Sequence, residues 1–154
     1  MIVGSVRLLK ETAIISVLLQ QPDEKIDLKC FEHAACGSAP LPLELKLSFQ
    51  QRFNCSVTNG YGMTESSCVV ARTLPGYDVE GVAVGNAIPY SRVIAVELID
   101  NKISRICETN EPGIILVKGP NVFQGYLNVS DNDGAWVEDD WFNTGDLGVI
   151  NALG

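Results

Sequence analysis

The chain has 154 residues and 46% of them are hydrophobic, so it can bury a sizeable core and is not a disordered segment. Its 11 basic and 19 acidic residues give a net charge of −8, which argues against nucleic acid or an anionic membrane as a partner, since both require clustered Lys and Arg. No apolar run approaches the roughly 20 residues of a transmembrane segment. The five cysteines are odd in number and form no C-x-x-C pair, which indicates a reducing, cytoplasmic location rather than a disulfide framework or a zinc site.

The first half of the chain alternates helical and strand patterns. Thr12 can cap a helix within residues 1–22, and Pro22 ends it. A buried strand, a helix and a second short strand follow, and this order predicts a partial parallel α/β sheet. The predicted elements after the first helix are a strand at 28–36, a helix at Leu43–Phe53 and a strand at 55–58 that runs into the glycine-rich turn N-G-Y-G.

The second half consists of short, β-branched segments separated by turn signals, which predicts a small, distorted β-barrel. We place the change in character near residue 80, dividing the chain into residues 1–80 and 81–154. The chain stops inside what could be a hairpin, so we expect it to be truncated. The predicted strands are Arg92–Ile99, 113–118 and 146–150, and the predicted turns lie at 75–76, 111–113 and 132–134.

The segment N-G-Y-G-M-T-E-S at 59–66 combines several groups that suit a nucleotide. Its glycines let the backbone approach a ligand, and the Tyr61 ring can pack on a planar base. Thr64 can donate to a phosphate oxygen, and Glu65 can bind Mg²⁺ beside it. The alternative is a hairpin turn, because Asn59 followed by glycine favours the type I′ turn. The residues alone leave both interpretations open.

Two other segments carry weaker signals. The sequence C-G-S-A-P at 36–40 places small residues after a predicted strand, where α/β proteins bind ligands. In W-F-N-T-G-D at 141–146, Asp146 can accept from two ribose hydroxyls, although an Asx-type turn explains the same residues. His33 is the only histidine and has no evident catalytic partner. No G-x-x-x-x-G-K-[ST] phosphate loop is present.

Taken in order, five motifs resemble the adenylate-forming superfamily of AMP-binding enzymes, which includes acyl-CoA synthetases, luciferases and peptide-synthetase adenylation domains. The resemblance covers about residues 12–150, and its later motifs look most like acyl-CoA synthetases, such as fatty-acid–CoA ligases. The motifs are G-S-A-P at 37–40, N-G-Y-G-M-T-E-S at 59–66, V-G-N-A-I-P at 84–89, V-K-G-P-N-V-F-Q-G-Y-L at 117–127 and W-F-N-T-G-D-L-G at 141–148.

This resemblance implies a site for ATP or AMP with Mg²⁺. Tyr61 would lie against the adenine ring and Asp146 would hold the ribose hydroxyls. Thr64 and Glu65 would be the catalytic residues, with Thr64 on the α-phosphate and Glu65 on the metal. The other implied contact residues are Gly37, Ser38, Ala39 and Pro40 at the adenine, and Asn59, Gly60, Gly62 and Met63 where the acid's carboxylate meets the α-phosphate.

The implied reaction joins a carboxylic acid to ATP as an acyl-adenylate, from which coenzyme A displaces AMP. By the same resemblance, residues 1–80 would be the C-terminal part of an α/β nucleotide-binding subdomain and 81–154 a β-barrel-like subdomain. The family's upstream phosphate loop, its ribose-contacting Arg, its hinge and its C-terminal lysine domain have no counterpart, and Ile114 stands where the family usually has Glu.

These departures predict an internal fragment of the large N-terminal domain, inactive by itself. Truncation would expose apolar surface, through which we expect self-association into a homo-oligomer. Two alternatives stay open. The chain could be a non-catalytic nucleotide-binding or protein-interaction module derived from such an enzyme, or a degraded gene product without a ligand.

Overall fold

The computed structural model describes residues 8–9, 12–22, 32–37, 41–74 and 83–153. The chain divides into two compact units. The first unit comprises residues 1–62 and 71–85, and the second comprises residues 63–70 and 86–154. The sequence motif Y-G-M-T-E is therefore divided, with its first two residues in the first unit and its last three in the second. The predicted boundary near residue 80 stays a prediction.

The first unit is a mixed sheet with helices. Strands β1, β2 and β3 are parallel, and β4 is antiparallel to β3. Parallel strands require a crossover connection, usually a helix, and α2 occupies that place between β2 and β3. Its elements are β1 (Leu8–Leu9), α1 (Thr12–Gln20), β2 (His33–Cys36), α2 (Leu43–Phe53), β3 (Ser56–Tyr61) and β4 (Ala71–Arg72).

The two helices and the sheet bury one apolar cluster, in which Ile15 of α1 and Phe49 of α2 are almost fully buried. Helix α2 follows Pro42 and ends at Asn54, which adopts the left-handed conformation with φ 48°. That conformation is a common helix terminator and Asn tolerates it well. The Arg52 guanidinium extends from α2 to the last turn of α1 and donates to the carbonyl oxygen of Leu18 at 3.1 Å.

Strand β3 is longer than the sequence predicts. It continues through Tyr61, so the expected turn at N-G-Y-G is wrong and no type I′ hairpin forms there. The reason is pairing on both sides, because Asn59 is in register with Cys36 of β2 and Gly60 with Arg72 of β4. Strand β2 begins at His33 among the described residues, and the predicted positions 28–31 and the turn at 75–76 lie outside them.

The second unit is a five-stranded antiparallel, barrel-like sheet with the order β7-β6-β8-β10-β9. Its core contains Val96, Leu116, Val137 and Trp141. The predicted combination of a partial parallel α/β sheet followed by a small β-barrel is confirmed. The five strands of this sheet are β6 (Arg92–Ile99), β7 (Lys102–Ile106), β8 (Pro112–Lys118), β9 (Trp136–Val137) and β10 (Trp141–Val149). The residue range of the unit also includes the short strand β5 (Asn86–Ala87), which is not part of this sheet, and the 3₁₀-helices Thr64–Ser66, Val129–Asn132 and Glu138–Asp140.

Two predicted boundaries in the second unit are wrong. Strand β10 begins at Trp141, five residues before the predicted start at 146. Its register with β8 shifts between Asn143 and Leu147, and this irregularity accommodates the polar residues of N-T-G-D within the strand. The turn predicted at 111–113 lies at 108–111 instead, with the Glu111 amide bonded to the Glu108 carbonyl at 3.0 Å. Pro112 can then open β8, since the first residue of a strand tolerates a missing N–H.

Candidate active site

In the first unit, Gly37 and Gly60 lie side by side at the carboxyl ends of two parallel strands. Gly37 follows β2, and a Cβ atom added to it would be 3.3 Å from the Gly60 carbonyl oxygen. Parallel strands present their carboxyl ends at one edge of a sheet, which is where α/β proteins bind ligands. The structure thus brings Gly37 together with Asn59 and Gly60, while Ser38, Ala39 and Pro40 lie outside the described residues.

Asn59 is buried, with 6% of its surface exposed, and it is fixed from two directions. Its amide donates to Thr73 Oγ1 at 2.7 Å, and Thr73 Oγ1 donates to the Asn59 carbonyl oxygen at 2.8 Å. Its side-chain nitrogen donates to the Ala83 carbonyl oxygen at 3.2 Å. Asn59 therefore connects strand β3 to Thr73 and to Ala83 through hydrogen bonds. No sequence pattern indicated Thr73, because it lies 14 positions away along the chain.

In the second unit, Thr64 and Glu65 lie in a tight 3₁₀ turn. Ser66 is fully buried, and its hydroxyl accepts from the Met63 amide at 3.1 Å and donates to the Met63 carbonyl oxygen at 3.0 Å. The next residue, Ser67, adopts φ 54° and closes the turn. Thr64 is exposed and Glu65 is half-buried, so this turn presents the hydroxyl and the carboxylate predicted to be catalytic on a fixed backbone.

The segment 119–126 fixes that turn through Glu65. The Phe123 amide donates to the Glu65 carbonyl oxygen at 2.8 Å, and the Tyr126 hydroxyl donates to Glu65 Oε1 at 2.8 Å. The hydrogen bond to the Glu65 carboxylate raises the pKa of the Tyr126 phenol, and burial adds to the effect. The sequence did not indicate Tyr126 as a site residue. By its local sequence alone, Tyr126 belongs to a segment that predicts a core strand and a loop. Its partner Glu65 is 61 positions away along the chain.

Asp146 lies in the irregular part of β10 and is exposed. Gly145 adopts φ 73°, and its amide donates to Asn143 Oδ1 at 3.0 Å. The Asp146 amide donates to Thr144 Oγ1 at 3.1 Å, and that hydroxyl donates to the Ile115 carbonyl oxygen at 2.8 Å. An Asx-type turn is therefore present in this motif, and Asn143 makes it. Whether Asp146 contacts ribose stays a prediction.

The profile of the family described as AMP-binding enzyme matches residues 10–127. The chain belongs to the AMP-binding enzyme family. It is 37% identical over 142 residues to the marinolic acid–CoA ligase of Pseudoalteromonas sp., a match that covers 92% of this chain and 22% of that enzyme. The predicted relationship to the adenylate-forming enzymes, and among them to acid–CoA ligases, is confirmed.

Solved structures of AMP-binding enzymes share the fold. The structure of ATP-bound MatB from Rhodopseudomonas palustris matches with a TM-score of 0.84 and 27% identity, covering 99% of this chain and 30% of that one. The O-succinylbenzoate coenzyme A synthetase of Bacillus subtilis, solved with ATP and magnesium ion, matches with a TM-score of 0.74 and 26% identity over 97% of this chain and 29% of that one. This member of the family thus spans between about a fifth and a third of the length of these relatives.

The carboxylate that the turn at residues 63–66 would offer to a Mg²⁺ ion is that of Glu65. Among the described residues, no group of three His, Cys, Asp or Glu side chains could form a cage for a metal ion. Mg²⁺ does not need one, because it keeps several waters and is usually held by one or two carboxylates plus substrate phosphates. Tyr126 occupies only Oε1 of Glu65, and Oε2 accepts no hydrogen bond from the described part of the chain. Glu65 therefore fits the role of a single carboxylate ligand.

No helix in the described ranges combines the length and the hydropathy that crossing a bilayer requires.

Proposed function

We propose that this chain supplies part of the acid-activating site of an ATP-dependent acid–CoA ligase. The observation that carries the proposal is the turn at residues 63–66, which presents Thr64 and Glu65 on a backbone anchored by Ser66 and by Phe123. Catalysis of phosphoryl and adenylyl chemistry depends mainly on positioned donors and charge neutralisation, so a fixed hydroxyl beside a fixed carboxylate suits it.

In the proposed reaction, the carboxylate of an organic acid attacks the α-phosphorus of ATP and pyrophosphate leaves, which gives an acyl-adenylate. The thiol of coenzyme A then displaces AMP to form the thioester. The Thr64 hydroxyl would donate a hydrogen bond to an α-phosphate oxygen, and the Glu65 carboxylate would hold Mg²⁺. The ion, when bound, neutralises phosphate charge and polarises the phosphoryl oxygens. The acid is a fatty acid or another small carboxylic acid.

The remaining roles rest on the motifs that the family shares. Tyr61 lies against the adenine, and Asp146 accepts from the ribose hydroxyls. The position of Gly37 and Gly60 at the carboxyl ends of parallel strands supports a ligand-facing role for that sheet edge, because α/β proteins bind ligands there. The other proposed contact residues are Ser38, Ala39 and Pro40 at the adenine and Asn59, Gly62 and Met63 near the reacting carboxylate.

Cytoplasmic location is part of the same proposal. Within the part of the chain that the structure describes, Cys55 is a buried free thiol, and Cys68 and Cys107 form no disulfide. Burial raises the pKa of the Cys55 thiol, which keeps it protonated and unreactive. Free thiols are typical of a reducing compartment.

Two measurements on the 154-residue chain test the proposal. Titration with AMP and with ATP–Mg²⁺, followed by amide NMR, should show weak binding that shifts Tyr61, Thr64 and Asp146, and Asp146→Asn should reduce it. ATP–pyrophosphate exchange with a panel of carboxylic acids should be absent, because the chain spans only 22% to 30% of its relatives. Shifts confined to other residues would contradict the assigned site, and robust exchange would contradict the expected inactivity.

Self-association is also proposed for the 154-residue chain. Several large apolar side chains of the second unit are more than 70% exposed, namely Tyr90, Leu127, Val129, Leu147 and Leu153. Exposed apolar side chains favour association when they form a continuous patch. Sedimentation velocity should show concentration-dependent dimers or larger species, and a single monomeric boundary at high concentration would count against this proposal.

A further inference from the structure

Glu65 is held at both its backbone and its side chain by one short segment. The Phe123 amide binds its carbonyl oxygen at 2.8 Å, and the Tyr126 hydroxyl binds its Oε1 atom at 2.8 Å. A half-buried Glu normally samples several rotamers, and ordering it costs conformational entropy. Here the carboxylate is oriented by a neutral donor before any ligand arrives.

Tyr126 is itself immobilised. Its amide donates to Asn132 Oδ1 at 2.8 Å, and Asn132 Nδ2 donates to its carbonyl oxygen at 3.2 Å. Its ring packs edge-on against Phe123 with the centroids 4.8 Å apart, and Phe123 stacks on Trp136 at 5.4 Å. The hydroxyl therefore comes from a rigid aromatic cluster, which is the kind of support that an oriented ligand needs.

We propose that Tyr126 is a positioning residue that orients the Glu65 carboxylate for a divalent cation. The inference rests on the proposed role of Glu65. A carboxylate has about four acceptor positions, and the Tyr126 hydroxyl uses one of them on Oε1, while no donor in the described ranges bonds to Oε2, the atom we assign to the cation. Groups that hydrogen-bond a metal ligand orient it, and their removal typically costs about 10-fold to 100-fold in metal affinity.

The alternative is that the hydroxyl only stabilises the turn. A bond with that role alone would change the melting temperature and leave cation affinity unaltered. Cation affinity measured apart from catalysis therefore distinguishes the two. Mn²⁺ is a suitable probe, since it prefers the same oxygen ligands as Mg²⁺ and its free form is quantified by electron paramagnetic resonance.

The experiment titrates Mn²⁺, with AMP present to supply a phosphate ligand, into the 154-residue chain and into Tyr126→Phe, Glu65→Gln and Ser67→Ala. Because the net charge is −8, nonspecific binding is expected, and the specific site is defined as the part lost in Glu65→Gln. Tyr126→Phe should weaken that part about 10-fold. Ser67→Ala is the matched control, because its hydroxyl donates to the Asn121 carbonyl oxygen at 2.9 Å in the same turn and does not contact Glu65. It should leave the affinity unchanged.

The outcomes distinguish the proposed metal-binding role of Glu65 from the positioning role of Tyr126. If Glu65→Gln binds Mn²⁺ as the wild type does, the metal role of Glu65 fails and the inference fails with it. If Glu65→Gln loses the site while Tyr126→Phe keeps wild-type affinity, the positioning role is overturned and the proposed function stands. Should Tyr126→Phe fail to fold, 4-fluorophenylalanine at position 126 decides, because it fills the space of the hydroxyl without donating. Wild-type affinity in that variant would overturn the inference.

Discussion

The side-chain nitrogen of Asn121 donates to the carbonyl oxygen of Val69 at 3.0 Å and to that of Ser66 at 3.3 Å. One amide group thus binds two carbonyls that flank the turn after Glu65. The Ser67 hydroxyl completes the connection by donating to the Asn121 carbonyl oxygen at 2.9 Å. Residues 63–70 belong to the second unit, and these bonds show how the segment is attached there.

Asn121→Ala should destabilise the protein by about 1–3 kcal/mol, because the Val69 carbonyl oxygen loses its side-chain donor and the Ser66 carbonyl oxygen keeps only the bond from the Val69 amide at 3.4 Å. Asn121→Asp should cost more, since a carboxylate would then point at two carbonyl oxygens. Urea unfolding measures both. Ser67→Ala, which removes one exposed hydrogen bond, should cost under about 1 kcal/mol. Equal stability of Asn121→Asp and Asn121→Ala would contradict the assigned orientation of the amide.

Gly85, in the motif V-G-N-A-I-P, should not tolerate a side chain. Its φ is 88°, and an added Cβ would lie 2.2 Å from the Arg72 carbonyl carbon and oxygen. Gly145 is the matched control, because its φ is 73° but nothing lies within 4 Å of an added Cβ. Gly145→Ala should cost only the left-handed backbone strain of about 1–2 kcal/mol. Gly85→Ala should cost clearly more, or prevent folding. Similar unfolding free energies for the two variants would refute the steric argument.

Arg52→Lys should lower stability although it conserves charge. The guanidinium donates to the carbonyl oxygens of Leu18, Leu19 and Gln21, at the end of α1 and just past it, where carbonyls have no i+4 amide partner in the helix. The Leu18 carbonyl also accepts from the Gln21 amide at 3.3 Å. Lys offers a point charge in place of a planar set of donors. Hydrogen bonds from charged groups contribute about 1.5–3 kcal/mol, so we expect a loss in that range for Arg52→Ala and a smaller loss for Arg52→Lys in thermal melts. Identical melting temperatures for wild type and Arg52→Ala would show that the Arg52 guanidinium does not stabilise the fold.

Glu111 should make stability depend on pH. Hydrogen bonds from the Arg105 guanidinium, followed by one from the Glu108 amide, lower the pKa of Glu111 from 4.5 to about 2. A carboxyl with a depressed folded-state pKa stabilises the fold above its ordinary pKa, and this contribution is lost as the pH falls through the folded-state value. The melting-temperature difference between wild type and Glu111→Gln should therefore be constant near neutral pH and shrink between about pH 4.5 and pH 2.

Glu108→Gln is the control for that titration. It makes the same change in net charge at an exposed position, and only the Glu108 backbone takes part in the bond to Glu111. Its melting-temperature difference from wild type should be small and should not follow the Glu111 profile. A Glu111→Gln difference that stays constant down to pH 2 would show that Arg105 does not hold the ionised carboxylate.

Local signals were sufficient where an element depends on its own residues. Helix Leu43–Phe53 was predicted with its observed ends, because its apolar spacing, the preceding proline and Asn54 at its end are all local. Local signals failed at Asn59 and Gly60, although an Asn-Gly pair does favour a turn. Strand pairing of Asn59 with Cys36 and of Gly60 with Arg72 outweighed that turn preference. These partners lie 23 and 12 positions away along the sequence.

The order of short motifs along the sequence was enough by itself to determine the family and the two kinds of sheet, because family membership and strand periodicity are properties of the linear chain. Only the tertiary structure decided which groups support the predicted site. Thr73 binds Asn59 across 14 positions, and Tyr126 binds Glu65 across 61. Hydrogen bonds over such separations depend on how sheets and loops pack, and no local pattern of residues encodes them.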